Sequence, residues 1–254
     1  MSSLFQPKGS NWRSISRHLT QTLAEIVLPP VCAGCGAVGR QFCGQCQAAV
    51  VWVEGPVCHR CGRPERRLAN LCISCQLVPP PLEKIRAATH HYNPVRQVLH
   101  KMKYEGYFAL AQPLGRLMVD AWPRWEHQLD LVIPIPLHQR RWRERGYNQS
   151  ELLTGVLEHE LGLPSLASAL ERSRHTRPQV GLTSEERRAN VLGAFTANPA
   201  LVKGKRIMVV DDVYTSGSTL NAAAEALHQA GASSVTAYCL TTADHKPADD
   251  VDPA

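Results

Sequence analysis

Hydrophobic and polar positions fall into three textures along the chain. Over the first 28 residues, Trp12, Ile15, Leu19, Leu23 and Ile26 recur at steps of three and four. That is the period of an amphipathic helix, expected to pack its apolar face on the body of the protein. From 29 to 78 apolar residues thin out and cysteines take over. Pro79-Pro80-Pro81 then reads as a stiff linker. Beyond it, short apolar runs alternate with longer helical periods. The pattern predicts a strand over 87–92, helices over 95–104 and 108–122, a strand at 131–135, a helix over 149–161 and a strand at 194–197.

The run from Arg206 to Leu220, Arg-Ile-Met-Val-Val-Asp-Asp-Val-Tyr-Thr-Ser-Gly-Ser-Thr-Leu, is the most informative. A β-branched strand enters two acids, then a loop of Gly, Ser and Thr, then an alanine-rich helix over 219–230. Gly231 ends that helix, and 235–240 returns as a strand. Strand, loop, helix and strand make a βαβ unit, and such units build parallel sheets. The expected organisation is an N-terminal helix (1–28), a cysteine module (29–78), an α/β domain (82–243) and a disordered Asp-rich tail (244–254).

Eight of the nine cysteines form four C-x-x-C pairs: Cys32/Cys35, Cys43/Cys46, Cys58/Cys61 and Cys72/Cys75. Two residues between thiolates let both sulfurs reach one tetrahedral ion at about 2.3 Å. Gly36 and Gly62 follow the second cysteine of the first and third pairs, where a left-handed turn wraps backbone around a bound sulfur. A disulfide framework would need a secretory signal, and a redox motif would be one pair rather than four. Two structural zinc ions are therefore expected, with pairing either sequential or interleaved. Eight ligands for two ions leave no open coordination position, so these zincs build a fold and do not catalyse. Cys239, alone in an apolar run, reads as a core residue.

Hydrophobic residues make up 44% and charged residues 20%, so the chain is globular rather than disordered. No apolar run is long enough to span a membrane, and Glu25 breaks the one that resembles a signal segment. A cytoplasmic location is expected. The formal charge of +6 points weakly to anionic partners: eight thiolates subtract eight and two zinc dications add four, leaving +2. Any case for nucleic acid must therefore rest on local patches.

Ligands of parallel sheets sit at the carboxyl ends of the strands. Thr215, Ser216, Gly217, Ser218 and Thr219 stand there, where amides at a helix N-terminus and hydroxyls cradle a phosphate. Asp211 and Asp212 would repel that phosphate and suit sugar hydroxyls or magnesium instead. A ribose 5-phosphate uses both halves of the site. The Walker pattern is absent.

Val-Val-Asp-Asp-Val-Tyr-Thr-Ser-Gly-Ser-Thr resembles the phosphoribosyl-pyrophosphate (PRPP) motif of type I phosphoribosyltransferases, with Ser216 where threonine is usual. Together with Val-Ile-Pro-Ile-Pro-Leu-His-x-x-Arg-x-x-Glu-Arg-Gly-Tyr-Asn-Gln (132–149), Arg177-Pro-Gln179 and Arg187-Arg-Ala-Asn190, it resembles the ComF family of competence-associated proteins, GntX-type members included. The likeness runs from about Leu28 to Thr241. It implies an α/β type I phosphoribosyltransferase fold preceded by a small double zinc ribbon. It also implies that Asp211 and Asp212 bind the ribose hydroxyls with magnesium nearby, and that Thr215 to Thr219 hold the 5-phosphate. Pyrophosphate would meet the loop Pro136-Leu137-His138, with Arg141 or Arg145 adding charge.

The basic stretch 172–188 is expected to be loop-like, either a lid over the leaving group or a solvated arginine-rich loop. Arg140, Arg141, Arg143 and Arg145, with Trp142 and Tyr147, offer weak evidence for a nucleic-acid track. His90, His91 and His100 read as surface or packing residues. Three functional readings follow. The family likeness implies handling of single-stranded DNA during natural transformation, with a PRPP pocket. The pocket chemistry allows transfer of a phosphoribosyl group to a nitrogen acceptor. The ribbons allow docking of a protein partner.

Overall fold

In the computed structural model the described residues are 29–65, 70–122, 129–174 and 183–243. The expected N-terminal helix, the acidic tail and Arg177-Pro-Gln179 lie outside them. Two five-residue helices, α1 (Gly44–Ala48) and α2 (Ile73–Leu77), belong to the cysteine module. The rest of the chain runs β1 (Lys84–His90), α3 (Val95–Tyr104), α4 (Ala111–Asp120), β2 (Leu131–Pro134), α5 (Gln139–Arg145), α6 (Gln149–Leu161), β3 (Leu170–Arg172), α7 (Ser184–Val191), β4 (Phe195–Ala197), α8 (Pro199–Val202), β5 (Arg206–Tyr214), α9 (Ser218–Gln229) and β6 (Ser234–Thr242).

Four strands form a parallel sheet in the order β1-β6-β5-β2, and β3 and β4 form a separate antiparallel pair. Side chains alternate between faces along each strand. Ile207, Val209, Val235, Ala237 and Cys239 pack under Leu220, Ala223, Ala224 and Leu227 of α9. Met208, Val210, Tyr238 and Leu240 meet Val98, Leu99 and Met102 of α3, Leu114, Leu117 and Met118 of α4, and Leu153 and Leu157 of α6. The result is a three-layer α/β sandwich whose central strands are buried on both faces, hence their unbroken apolar runs. Helices α4 and α6 touch at Gly115, where a Cβ would come within 2.6 Å of the Val156 Cβ.

The cysteine module is fastened to the sheet's outer edge. The Val53 amide donates to the Ala88 carbonyl (3.1 Å) and the His90 amide to the Val51 carbonyl (2.8 Å), adding a short antiparallel stretch to β1. Lower on β1, the Ile85 amide donates to the Arg60 carbonyl (2.7 Å) and the Arg86 guanidinium to the His59 carbonyl (3.0 Å). An open edge strand invites pairing with other chains, and the module covers it. Residues Cys32, Ala33, Phe42, Cys46 and Val50 extend the α3–α4 side of the core, while the second tetrad makes a small cluster of its own.

Most predicted elements are present with shifted ends. The first strand begins three residues earlier than expected, because Lys84 and Arg86 interrupt its apolar pattern while Arg86 serves the module. The helix expected over 108–122 opens with a tight 3-10 turn, Phe108–Leu110, before α4. Cys239 is fully buried. The stretch 172–188 is not loop throughout: Arg172 ends β3, and α7 begins at Ser184, with Thr183 just before it. There the Thr183 hydroxyl accepts from the Glu186 amide (3.2 Å) and the Glu186 carboxylate accepts from the Thr183 amide (2.7 Å). That is a capping box, and Thr183-Ser-Glu-Glu186 displays it in sequence.

Candidate functional site

The eight paired cysteines gather into two tetrads, Cys32/Cys35/Cys43/Cys46 and Cys58/Cys61/Cys72/Cys75. Pairing is thus sequential. Four sulfurs at about 2.3 Å from one ion sit about 3.8 Å apart on the edges of a tetrahedron. The protein spaces Cys32 and Cys46 at 3.7 Å, Cys35 and Cys43 at 3.6 Å, and Cys61 and Cys72 at 3.7 Å. The donor sets therefore fit zinc. The Cys43 amide donates to the Cys32 sulfur and the Cys72 amide to the Cys58 sulfur, each at 3.3 Å. Burial opposes ionisation of Cys32 and Cys58, but these and neighbouring backbone donors outweigh it and bring both thiols down to about 6. Such thiolates are ready metal ligands.

At the carboxyl end of β5 the two acids enter a cleft of about 1060 Å³. Asp211 accepts from the Ser150 hydroxyl (3.0 Å) and from the Asp212 amide (2.9 Å). Asp212 accepts from the Lys103 ammonium at 2.8 Å, and both side chains of that pair are largely buried. Burial and the neighbouring charge of Asp212 push the Asp211 carboxyl up to about 7, against the pull of the Asp212 amide, Lys103 and Ser150. The pair is poised for a ligand that brings hydroxyl donors or a cation.

The Thr-x-Gly-x-Thr loop divides between two hollows. Thr215 and Thr219 line the cleft with the acids. Ser216, Gly217 and Ser218 face a second hollow of about 580 Å³, walled by Cys61, Arg63 and Cys75 of the cysteine module. Gly217 precedes α9 with φ +74°, a left-handed turn that a side chain would strain and that points the first amides of α9 at the loop. The Ser216 and Ser218 hydroxyls are 2.8 Å apart.

Of the other residues expected at the site, Leu137, Arg141 and Arg145 line the cleft, whereas Pro136 and His138 are not on its wall. His138 instead caps α5, its ring nitrogen accepting from the Arg140 amide (3.2 Å). The arginines of α5 also part company. Arg141 and Arg145, four apart, share the cleft face with Glu144, and Arg140, off the cleft wall, pairs with Glu144 (3.1 Å). Arg145 lies over the Tyr104 ring at 5.4 Å. His91 and His100 belong to the cleft wall and not merely to the surface.

Sequence reasoning missed Lys103, Ser150, Gln149 and Arg172 as parts of the cleft wall. Lys103 and Ser150 sit on helices more than 60 residues from Asp211, and only tertiary folding brings them in. Gln149 closes the Gly-Tyr-Asn-Gln motif, and Asn148 beside it caps α6 while donating to the Ile135 carbonyl (3.0 Å). That motif carried the signal.

Among the described residues no helix is long and apolar enough to cross a membrane. A model of the phosphoribosyl transferase domain matches residues 157–254, and a model of the double zinc ribbon domain matches residues 23–76. Competence protein F of Haemophilus influenzae is 34% identical over 80% of this chain and 90% of its own length. The DNA utilization protein YhgH of Escherichia coli O157:H7 is 32% identical over 85% and 98%. Among solved structures, the glutamine PRPP amidotransferase from B. subtilis aligns with 51% of this chain and 26% of its own, at 21% identity and a TM-score of 0.36. With two cysteine tetrads set beside a parallel phosphoribosyltransferase-type sheet and relatives matched along most of their length, this chain belongs to the ComF family.

Proposed function

We propose that the protein acts in the uptake or use of DNA by handling single strands, and that its cleft binds PRPP or a related ribose 5-phosphate. The observation that carries the cleft reading is the Asp211–Asp212 pair beside Thr215 and Thr219 at the end of β5. Carboxylates accept from the 2′ and 3′ hydroxyls of a ribose, and the loop and the first amides of α9 receive its 5-phosphate. Lys103 already neutralises Asp212, and the described residues offer no acidic cage for a free ion. Magnesium would therefore be carried by the diphosphate, near Asp211 and Asp212, and would supply charge neutralisation to the leaving group. Zinc in the two tetrads would be structural, and a cytoplasmic location accords with this role.

The DNA reading rests on the names of the relatives and on exposed aromatic rings about α5 and the end of α3. Trp142, Tyr104, Tyr107 and Phe108 are all more than half exposed. Tyr104 lines the cleft with the Arg145 guanidinium over its ring, Phe108 meets the Tyr147 ring at 6.2 Å, and Trp142 lies on α5 between the cleft-facing Arg141 and the exposed Arg143. Exposed aromatics among arginines are what a single strand stacks on, at about 1–3 kcal/mol per base. Fluorescence titration with a labelled oligonucleotide tests this. Affinity should fall steeply with salt, and Arg141→Ala/Arg145→Ala should flatten that slope by about two. A flat salt response in the unaltered protein refutes the electrostatic track.

Turnover is the second reading, favoured by the intact acid pair and by Lys103 beside it. A nitrogen acceptor would attack the anomeric carbon of PRPP, forming the C–N bond as the C–O bond to pyrophosphate breaks, and would give up its proton to solvent. Pyrophosphate release above an Asp211→Asn/Asp212→Asn blank, from magnesium-PRPP with pooled small-molecule acceptors, decides it.

A further inference from the structure

We propose that the first cysteine tetrad is an oxidation site: a hydroperoxide joins Cys35 to Cys43 as a disulfide and empties one of the two zinc sites, while the second tetrad keeps its ion. The proposal rests on zinc filling both tetrads and adds a chemical difference between them.

The tetrads share donor set and spacing but not surroundings. Cys32 and Cys46 are buried, as are all four cysteines of the second tetrad, whereas Cys35 is exposed and Cys43 half-buried. The glycines that follow the cysteines differ in the same way. A Cβ on Gly36, after Cys35, or on Gly44, after Cys43, would have no atom within 4 Å. A Cβ on Gly62, after Cys61, would lie 2.3 Å from the Ile85 carbonyl oxygen of β1. Cys61 and Cys75 wall the smaller hollow, yet they are only 6% and 5% exposed. Metal ligation makes thiolates of all eight, so access to solvent decides which are oxidised. One edge of the first tetrad is open to solutes, and the second tetrad is packed against the sheet.

The open edge is also the one that can close on itself. The Cys35 and Cys43 sulfurs are 3.6 Å apart. Cys43 stands at the cap of α1, its sulfur accepting from the Cys46 amide (3.5 Å). The Cys35 thiolate attacks one peroxide oxygen, the O–O bond breaks, and hydroxide leaves and is protonated to water. The Cys43 thiolate then attacks the Cys35 sulfenic sulfur, the S–S bond forms, and a second hydroxide leaves as water. Two sulfurs have lost two electrons, the peroxide has gained them, and solvent has supplied the protons. Cys32 and Cys46 remain, short of the four ligands a structural zinc site needs.

The site is placed to report this change to the cleft. Cys32, Ala33, Phe42, Cys46 and Val50 share a core with Val95, Val98, Leu99 and Met102 of α3. A Cβ on Gly34 would lie 2.8 Å from the Cys46 sulfur and 3.1 Å from the Pro94 Cβ, so the tetrad abuts the start of α3. Helix α3 carries Lys103 to Asp212. Emptying the first site slackens the support of α3, while the second ribbon keeps its bonds to β1 at Ile85 and Arg86.

Titrating the zinc-loaded full chain with hydrogen peroxide tests this, with released zinc read by a chromogenic chelator and disulfides mapped by mass spectrometry of unreduced peptides. One zinc of the two should leave first, together with a Cys35–Cys43 disulfide, and dithiothreitol with added zinc should restore it. Cys35→His keeps a zinc ligand and removes the oxidisable sulfur, so it should hold its zinc at the peroxide concentration that empties the first site of the unaltered protein. Cys75→His should leave that release unchanged. Loss of both ions together, a first disulfide within 58–75, or release unslowed in Cys35→His overturns the proposal. The peptide map of the unaltered protein decides the matter even if Cys35→His fails to fold. A protein that holds no zinc in the first tetrad before oxidation removes the zinc reading itself, and this one with it.

Discussion

Replacing Asp211 with Asn should make the protein more stable while abolishing binding at the proposed ligand site. The carboxyl sits at about 7 in the folded chain against an ordinary 3.8, because it is buried beside Asp212. A carboxyl displaced that far carries a penalty of about 4 kcal/mol when ionised. The penalty is absent below pH 3.8, where both states are protonated, grows as pH rises and is complete above about 7. Because the cleft is open to water, screening brings the expected gain for Asp211→Asn to about 2 kcal/mol at pH 8. At pH 5 the folded carboxyl is already neutral, and the gain shrinks to under about 1 kcal/mol. Asparagine keeps the oxygen that accepts from Ser150 and the Asp212 amide, so no new cavity or broken bond confuses the comparison. Urea unfolding of the zinc-loaded protein at both pH values measures the difference. A loss of stability at pH 8, or a gain that does not change with pH, refutes the argument that the acid pair is held at a cost for the sake of a ligand.

The remaining predictions concern the scaffold. Metal analysis should give two zinc per chain, one for each tetrad; Cys58→Ser should lose one, and chelation should expose the β1 edge and promote aggregation. Gly62→Ala should lower the urea midpoint by the equivalent of about 1–3 kcal/mol, because φ is +67° and a Cβ would lie 2.3 Å from the Ile85 carbonyl oxygen. Gly115→Ala should cost about 1–3 kcal/mol by overpacking against Val156. Adding Val156→Ala should restore part of that loss, as a double-mutant cycle would show.

The parts of this molecule legible in sequence are those in which local chemistry and tertiary role coincide. The parallel sheet could be read because β5 and β6 are buried on both faces and their apolar runs are unbroken. The tetrads could be read because C-x-x-C spacing is itself the ligand geometry; their pairing could not, since it depends on how the chain returns between pairs. Lys84 and Arg86 hid the start of β1 because their side chains answer to the module rather than to the sheet. The acids and hydroxyl loop were evident, but Lys103 and Ser150 were not: a lysine in a basic helix and a serine after a cap look like surface residues until folding sets them against Asp211 and Asp212. At Thr183 the capping box was present in the sequence, and the surrounding arginines drew the reading toward a loop.

The acid pair also constrains where a DNA strand can lie. Asp211 and Asp212 suit a sugar with free 2′ and 3′ hydroxyls, whereas a DNA strand has no 2′ hydroxyl and its internal 3′ oxygens are esterified. A strand threaded past the acids would bring its phosphates against two carboxylates, only one of which is neutralised by Lys103. On the proposed reading its interior would therefore lie outside the cleft, along Trp142, Tyr104 and the arginines of α5, leaving the deep cleft to a ribose phosphate. The two ligands would meet at Arg141 and Arg145, which line the cleft and belong to the rim helix. Occupancy of the cleft by a polyanion should neutralise part of the rim's charge and weaken strand binding, so the two affinities are linked and, by thermodynamic necessity, equally in both directions.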